Sequence, residues 1–183
     1  MRHITVGTFA AGVIGALFMT AVLGFLKAAG IIEINIEEAL GHLLAPQLSA
    51  GFMAIGFVAH LIAGGLFAFI YALVIRFLKV RSWLFGMLIA TTHWVLGGIV
   101  MGQLCSSHPD MQGSMPGGDA FHTQMGLGTL FALYIVHLLY GALVGFAVLP
   151  SEGAMDSEQV IDEAIDHRNS NKATSKNLEQ PAA

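Results

Sequence analysis

Three histidines stand near the middle of long apolar stretches, and each is followed four residues later by glycine: His60 and Gly64, His93 and Gly97, His137 and Gly141. An imidazole in hydrocarbon loses its water and must find a partner, so an ionisable side chain inside a membrane span marks a candidate site. Neutral imidazole suits copper, zinc, iron and nickel, while thioether sulfur selects cuprous copper. More soft donors follow the third stretch, where Met101, Cys105, His108, Met111, Met115, His122 and Met125 lie close together in sequence. The pattern predicts a three-histidine intramembrane site for a transition metal, copper first, with Met101, His108, Met111, Met115, His122 and Met125 collecting the ion outside.

Two other readings use the same histidines. A single b-type haem would take two of them as axial ligands from facing helices, and the glycine one turn beyond each would leave room for the macrocycle. One histidine would then be left over, and Lys27 is the only cation at outer depth for the propionates. In a cofactor-free structural or accessory subunit the histidines would instead bond across helices to Thr20, Thr91, Thr92, Thr129, Tyr71, Tyr134 or Tyr140, at about 0.6 to 2 kcal/mol each. A proton path, with His42 or His122 as an outer gate, is weakened by the lack of aspartate and glutamate in the spans.

Nothing points to an enzyme. There is no phosphate-cradling Gly-Lys-Ser/Thr loop, no dinucleotide fingerprint and no His-Glu-x-x-His pair. Ser106 and Ser107 beside His108 and Asp110 crowd the residue types of a triad without its geometry. Cys105 is the only cysteine, which excludes an intramolecular disulfide and a cysteine-rich metal site. The chain lacks a basic patch for nucleic acid; its formal charge of -4 arises largely in the tail.

The elements that must position these groups follow from composition. Hydrophobic residues make up 55% of the chain and charged residues 11%, against about 25% charged in soluble domains. A hydrocarbon core of about 30 Å needs about 20 apolar residues per helix. Four stretches qualify, at about 4–29, 51–78, 82–104 and 126–149, so the fold class is an all-α polytopic membrane protein with four transmembrane helices in a bundle. The first stretch is too long for a signal-peptide core, and Lys27 stands where a cleavage site needs small neutral residues. Arg2 and the connector holding Arg76, Lys79 and Arg81 fall on one side, opposite Glu33, Glu37, Glu38, Asp110 and Asp119. The positive-inside rule therefore predicts both termini in the cytoplasm and a bacterial-type inner membrane. Asn35 with Glu38 reads as a helix cap ahead of an apolar stripe, Ala39, Leu40, Leu43 and Leu44, on the outer interface. Residues 151–183 read as a polar, largely disordered cytoplasmic tail.

Small residues at four-residue spacing let membrane helices approach closely. Such stripes run through Gly12, Ala16, Thr20 and Gly24, through Gly56, His60, Gly64, Ala68 and Ala72, and through His137, Gly141 and Gly145. In the third span His93, Gly97 and Met101 share a face beside Ala90, Trp94, Gly98 and Gly102. The histidines are thus expected to point inward, and the helical rise puts them roughly 14 to 16 Å from the span ends. His-Leu-Ile-Ala-Gly from His60 and His-Leu-Leu-Tyr-Gly from His137 hint at an internal repeat. The repeated His-x-x-x-Gly spans, the Phe67–Ala72 run and the small-residue first span resemble small four-helix bacterial inner-membrane proteins of uncharacterised function. That resemblance covers about residues 4–149 and implies a fold and a location, with no site residue carried over. Expected partners are the lipid bilayer and a membrane protein or a second copy of the chain.

Overall fold

In a computed structural model the chain is described over residues 6–48, 50–80, 82–111, 114–115, 121, 123–149, 164–165 and 168. Among the described residues of 6–149 five α-helices follow in order: α1 Val6–Ala28, α2 Ile36–Leu44, α3 Phe52–Phe77, α4 Trp83–Ser107 and α5 Leu127–Val148. Four of them, α1, α3, α4 and α5, are long and apolar enough to cross a membrane, and they pack together. Large apolar side chains such as Phe25, Leu66, Leu73, Leu88, Leu96 and Phe131 face outward, as a bilayer requires. Residues 150–183 form a separate unit, and the expected tail disorder lies outside the described residues save Ala164, Ile165 and Arg168.

The spans differ from the expected boundaries by a few residues, most at the end of α4. That helix runs on to Ser107, with the His108 amide still donating to the Leu104 carbonyl at 3.0 Å and the Ser106 and Ser107 hydroxyls donating back to the Gly102 and Gln103 carbonyls at 2.8 and 2.9 Å. Before α4 the Ser82 hydroxyl accepts from the Leu84 amide at 3.3 Å.

The bundle is built from two tight helix pairs, α1 with α3 and α4 with α5. A Cβ added to Gly12 would collide with the Gly64 carbonyl, and one on Gly86 with the Gly141 carbonyl. One on Gly64 would stand 2.5 Å from the Ala16 Cβ, and one on Gly141 2.5 Å from the Ala90 Cβ. Gly12 and Ala16 therefore meet Gly64 as Gly86 and Ala90 meet Gly141. The repeat hinted at by the two His-Leu motifs is a repeat of helix-pair packing, and it makes His60 and His137 equivalent positions.

The pairs are joined less closely. Tyr140 of α5 lays its ring over Gly15 of α1 and donates its hydroxyl to the Gly64 carbonyl of α3. Between α3 and α4 the gap is bridged by large rings, with Phe67 and Tyr71 reaching His93. Gly97, expected to serve packing, has nothing within 4 Å of an added Cβ; Gly86, one turn before the stripe assigned to α4, makes the close approach instead.

The short helix is capped as expected, with one change of partner. Asn35 accepts from the Glu38 amide at 3.1 Å, but the Glu38 carboxylate takes the Asn35 side-chain amide at 3.0 Å. The Asn35 backbone amide goes to the Ser114 carbonyl at 3.2 Å, tying α2 to the second long loop. Gly41 and Gly56 lack the Cβ that would separate the backbones of α2 and α3. Helix α2 is therefore docked on the bundle, with Ala39 fully buried.

Candidate functional site

Among the described residues two polar clusters contain the interior histidines. In the first, α1, α2 and α3 bring together Thr20, Glu37 and His60. The Thr20 hydroxyl donates to Glu37 Oε1 at 2.7 Å, and His60 Nδ1 lies 3.1 Å from that hydroxyl and 3.3 Å from the same carboxylate oxygen. Since the single Thr20 proton goes to Glu37, the proton between His60 and both oxygens belongs to Nδ1. His60 is thus a donor through Nδ1, and Nε2 carries the lone pair when the ring is neutral.

The second cluster joins α3, α4 and α5. His93 stacks on Phe67, with ring centroids 3.8 Å apart, and meets His137 edge to face at 5.2 Å. Tyr71 and Tyr140 border the pair, each with its ring centroid 6.2 Å from that of His93. His137 Nδ1 donates to the Leu133 carbonyl of its own helix at 2.7 Å, and His93 Nδ1 pairs with the Tyr71 hydroxyl at 3.3 Å. In all three histidines Nδ1 takes the protein partner. Among the described residues Ser114 Oγ is the one buried side-chain polar atom without a partner, and the three imidazole rings are half-buried.

The equivalence of His60 and His137 ends at their neighbours. One turn beyond Ala16 stands Thr20, whose hydroxyl receives His60. One turn beyond Ala90 stands Trp94, whose indole packs on Tyr134 and Phe121 with centroids 4.8 and 4.9 Å away. Without a hydroxyl at that place, His137 turns to its own backbone.

The structure brings His93 and His137 together and directs His60 to Glu37. Among the described residues no three His, Cys, Asp or Glu side chains gather as a metal cage would need. The outer-loop donors are also dispersed by burial. Cys105, Met111 and Met115 are core residues, and Met101 and Met125 pack against that core. His108 is exposed, with Nδ1 donating to the Leu104 carbonyl at 3.0 Å, and His122 lies outside the described residues. Gly64 and Gly141, where a macrocycle would need space, are filled by α1 and α4.

Sequence reasoning missed Glu37. The spans do lack carboxylates, but the docked α2 lowers one onto His60. The available signal was the cap itself: with Asn35 capping the helix, Glu37 falls on its first turn, on the loop directly preceding α3. Burial pushes the Glu37 carboxyl up, yet hydrogen bonds from His60 and Thr20 outweigh it and hold the group below its usual range. A carboxylate depressed in the folded state stabilises the fold above its unfolded pKa of about 4.3, and that stabilisation is lost as pH falls through the lower folded value. Amide exchange of α2, corrected for intrinsic rates, is therefore expected to accelerate on acidification from about pH 6 to about pH 3. Glu37→Gln should remove most of that dependence; an unchanged acid response would assign it to another group.

Beside Glu37 a cavity of about 400 Å³ opens between α1, the start of α2 and α3, with Lys27, Asn35 and Thr20 among its polar lining. Four apolar helices around a layered polar interior define a multi-pass membrane protein with buried ionisable groups. No family model, curated protein or solved structure matches this chain.

Proposed function

We propose that this is a non-enzymatic membrane protein that holds a transition-metal ion, cuprous copper first, between His93 and His137. The observation that carries this reading is the pair itself: two imidazoles from neighbouring helices, 5.2 Å between centroids, each engaged through Nδ1. With metal–nitrogen bonds of about 2.0 to 2.1 Å, two imidazoles on one ion have their centroids about 5 Å apart at a tetrahedral angle and about 6.4 Å apart when collinear, so the observed spacing corresponds to a bent arrangement. Bonds at Nδ1 fix the tautomer and ring orientation of a ligating histidine. The His93 tautomer suited to binding donates Nδ1–H to Tyr71. Two nitrogen donors suit a low-coordinate monovalent ion better than tetrahedral zinc, which takes four ligands.

Haem has less to stand on, since two of the three glycines that would admit it are occupied by helix contacts. The location we propose is a bacterial-type inner membrane with both termini cytoplasmic, supported by the Lys and Arg distribution and by the resemblance drawn from the spans. A protein partner or second copy is proposed for the outward apolar faces.

Elemental analysis of protein purified in detergent and loaded with cuprous ion under reducing conditions tests the reading. Copper is expected near one per chain in the wild type and in His60→Ala, and near zero in His93→Ala and His137→Ala. Equal copper in all four proteins would remove the site from these histidines. No copper in any would leave them as packing groups of a structural subunit, and iron lost with the pair would favour haem.

A further inference from the structure

The cavity beside Glu37 combines features that the metal reading does not use. The two side-chain hydrogen bonds to the Glu37 carboxylate, from Thr20 and His60, both fall on Oε1, and the Glu37 backbone amide also helps to hold the group ionised. Glu37 lines the cavity, so its carboxylate charge borders any occupant. Lys27, at the last turn of α1, brings an opposite charge to the same cavity. Leu23, Met53 and Phe57 supply apolar wall. Gly24 lines it too, and an added Cβ there would meet nothing within 4 Å.

An anion and a cation in one cleft, continuous with apolar wall, at the ends of two membrane-spanning helices, match a zwitterion attached to hydrocarbon. We propose that this cleft binds the headgroup of a phospholipid with a primary ammonium, phosphatidylethanolamine in kind. The ammonium donates to the Glu37 carboxylate, the phosphate pairs with Lys27, and the proximal acyl chain lies against Met53 and Phe57. A primary ammonium has three N–H donors for the carboxylate, whereas a quaternary choline has none. An uncharged glycerol headgroup gives Lys27 its phosphate but offers Glu37 no cation. Headgroup selectivity is the consequence, and charge-assisted hydrogen bonds are the strong class on which it rests.

The test is native mass spectrometry of the full chain released from nanodiscs holding equal parts of phosphatidylethanolamine, phosphatidylcholine and phosphatidylglycerol. The wild type is expected to retain phosphatidylethanolamine about tenfold over the other two, the ratio for one charge-assisted hydrogen bond. Glu37→Gln should erase the preference over choline, and Lys27→Gln should reduce retention of all three lipids. Gly24→Leu should block the cleft while keeping Cys105, fully buried in the wild type, shielded from maleimide. Equal retention of the three lipids by the wild type, or a Gly24→Leu variant that binds normally, would overturn the proposal. Displacement of the lipid by water-soluble glycerophosphoethanolamine at matched concentration would overturn it as well, in favour of a soluble ligand. His93→Ala should leave the lipid preference intact, which keeps this result separate from the metal reading.

Discussion

Gly141→Leu is expected to separate α4 from α5 and to be the most damaging single change in the bundle. The Gly141 position has the Gly86 backbone and the Ala90 methyl against it, and neither is a flexible side-chain end that could swing away. Overpacking a core typically costs about 1 to 3 kcal/mol, and contact with backbone belongs at or above the upper figure because a whole helix must shift. Cys105, fully buried on α4, reports the event. Its maleimide labelling in detergent should rise from negligible to rapid in Gly141→Leu, and Gly64→Leu should disturb the equivalent α1–α3 contact. Gly97→Leu, pointing into open space, should leave labelling slow. Equal labelling of Gly141→Leu and Gly97→Leu would mean that the close-packed pairs are not what holds the bundle.

The second large effect is expected at Gly56. A side chain there would run into the Glu37 carbonyl and the Gly41 amide, so Gly56→Val should drive α2 off α3. A nine-residue helix has little stability in isolation, since helices shorter than about 12 to 15 residues are marginal in water. Undocking should therefore melt α2 and withdraw Glu37 from His60 in one step. Hydrogen exchange resolved by peptide is expected to show protection lost across α2 and retained in α4 and α5. Protection of α2 unchanged by the valine would contradict the docking of this helix through Gly41 and Gly56.

The span pattern, the cap at Asn35 and the inward direction of the histidines were legible in the sequence because each rests on local chemistry: hydropathy over a helix length, a side chain three residues from an amide, small residues four apart. What was not legible depended on which faces meet. Gly97 and Gly86 stand about three turns apart on nearly the same side of α4, and spacing alone does not say at which height α5 touches it. The three histidines are expected at one membrane depth from their places in the spans, yet His60 is drawn aside by a hydroxyl on α1 and a carboxylate on α2. The soft donors after Met101 are close in sequence, but Met111 and Met115 fold into the core as apolar side chains. Glu37 escaped because a charge outside a span was read as belonging to water, whereas a docked loop helix returned it to the bundle.

One consequence joins the two clusters. His60 and His137 occupy equivalent places in the repeated packing, and the bundle treats them differently through one neighbour, Thr20 in one pair and Trp94 in the other. The pair with Trp94 at the place of Thr20 is the one that leaves its histidine beside a second imidazole.

X-ray absorption at the copper edge, on protein loaded with cuprous ion, tests this account most directly. It is expected to show two imidazole nitrogens at about 2 Å, with no sulfur shell at about 2.3 Å, and this signal should survive His60→Ala. A sulfur shell in the wild type, or loss of the nitrogen signal in His60→Ala, would contradict the assignment of the ion to His93 and His137.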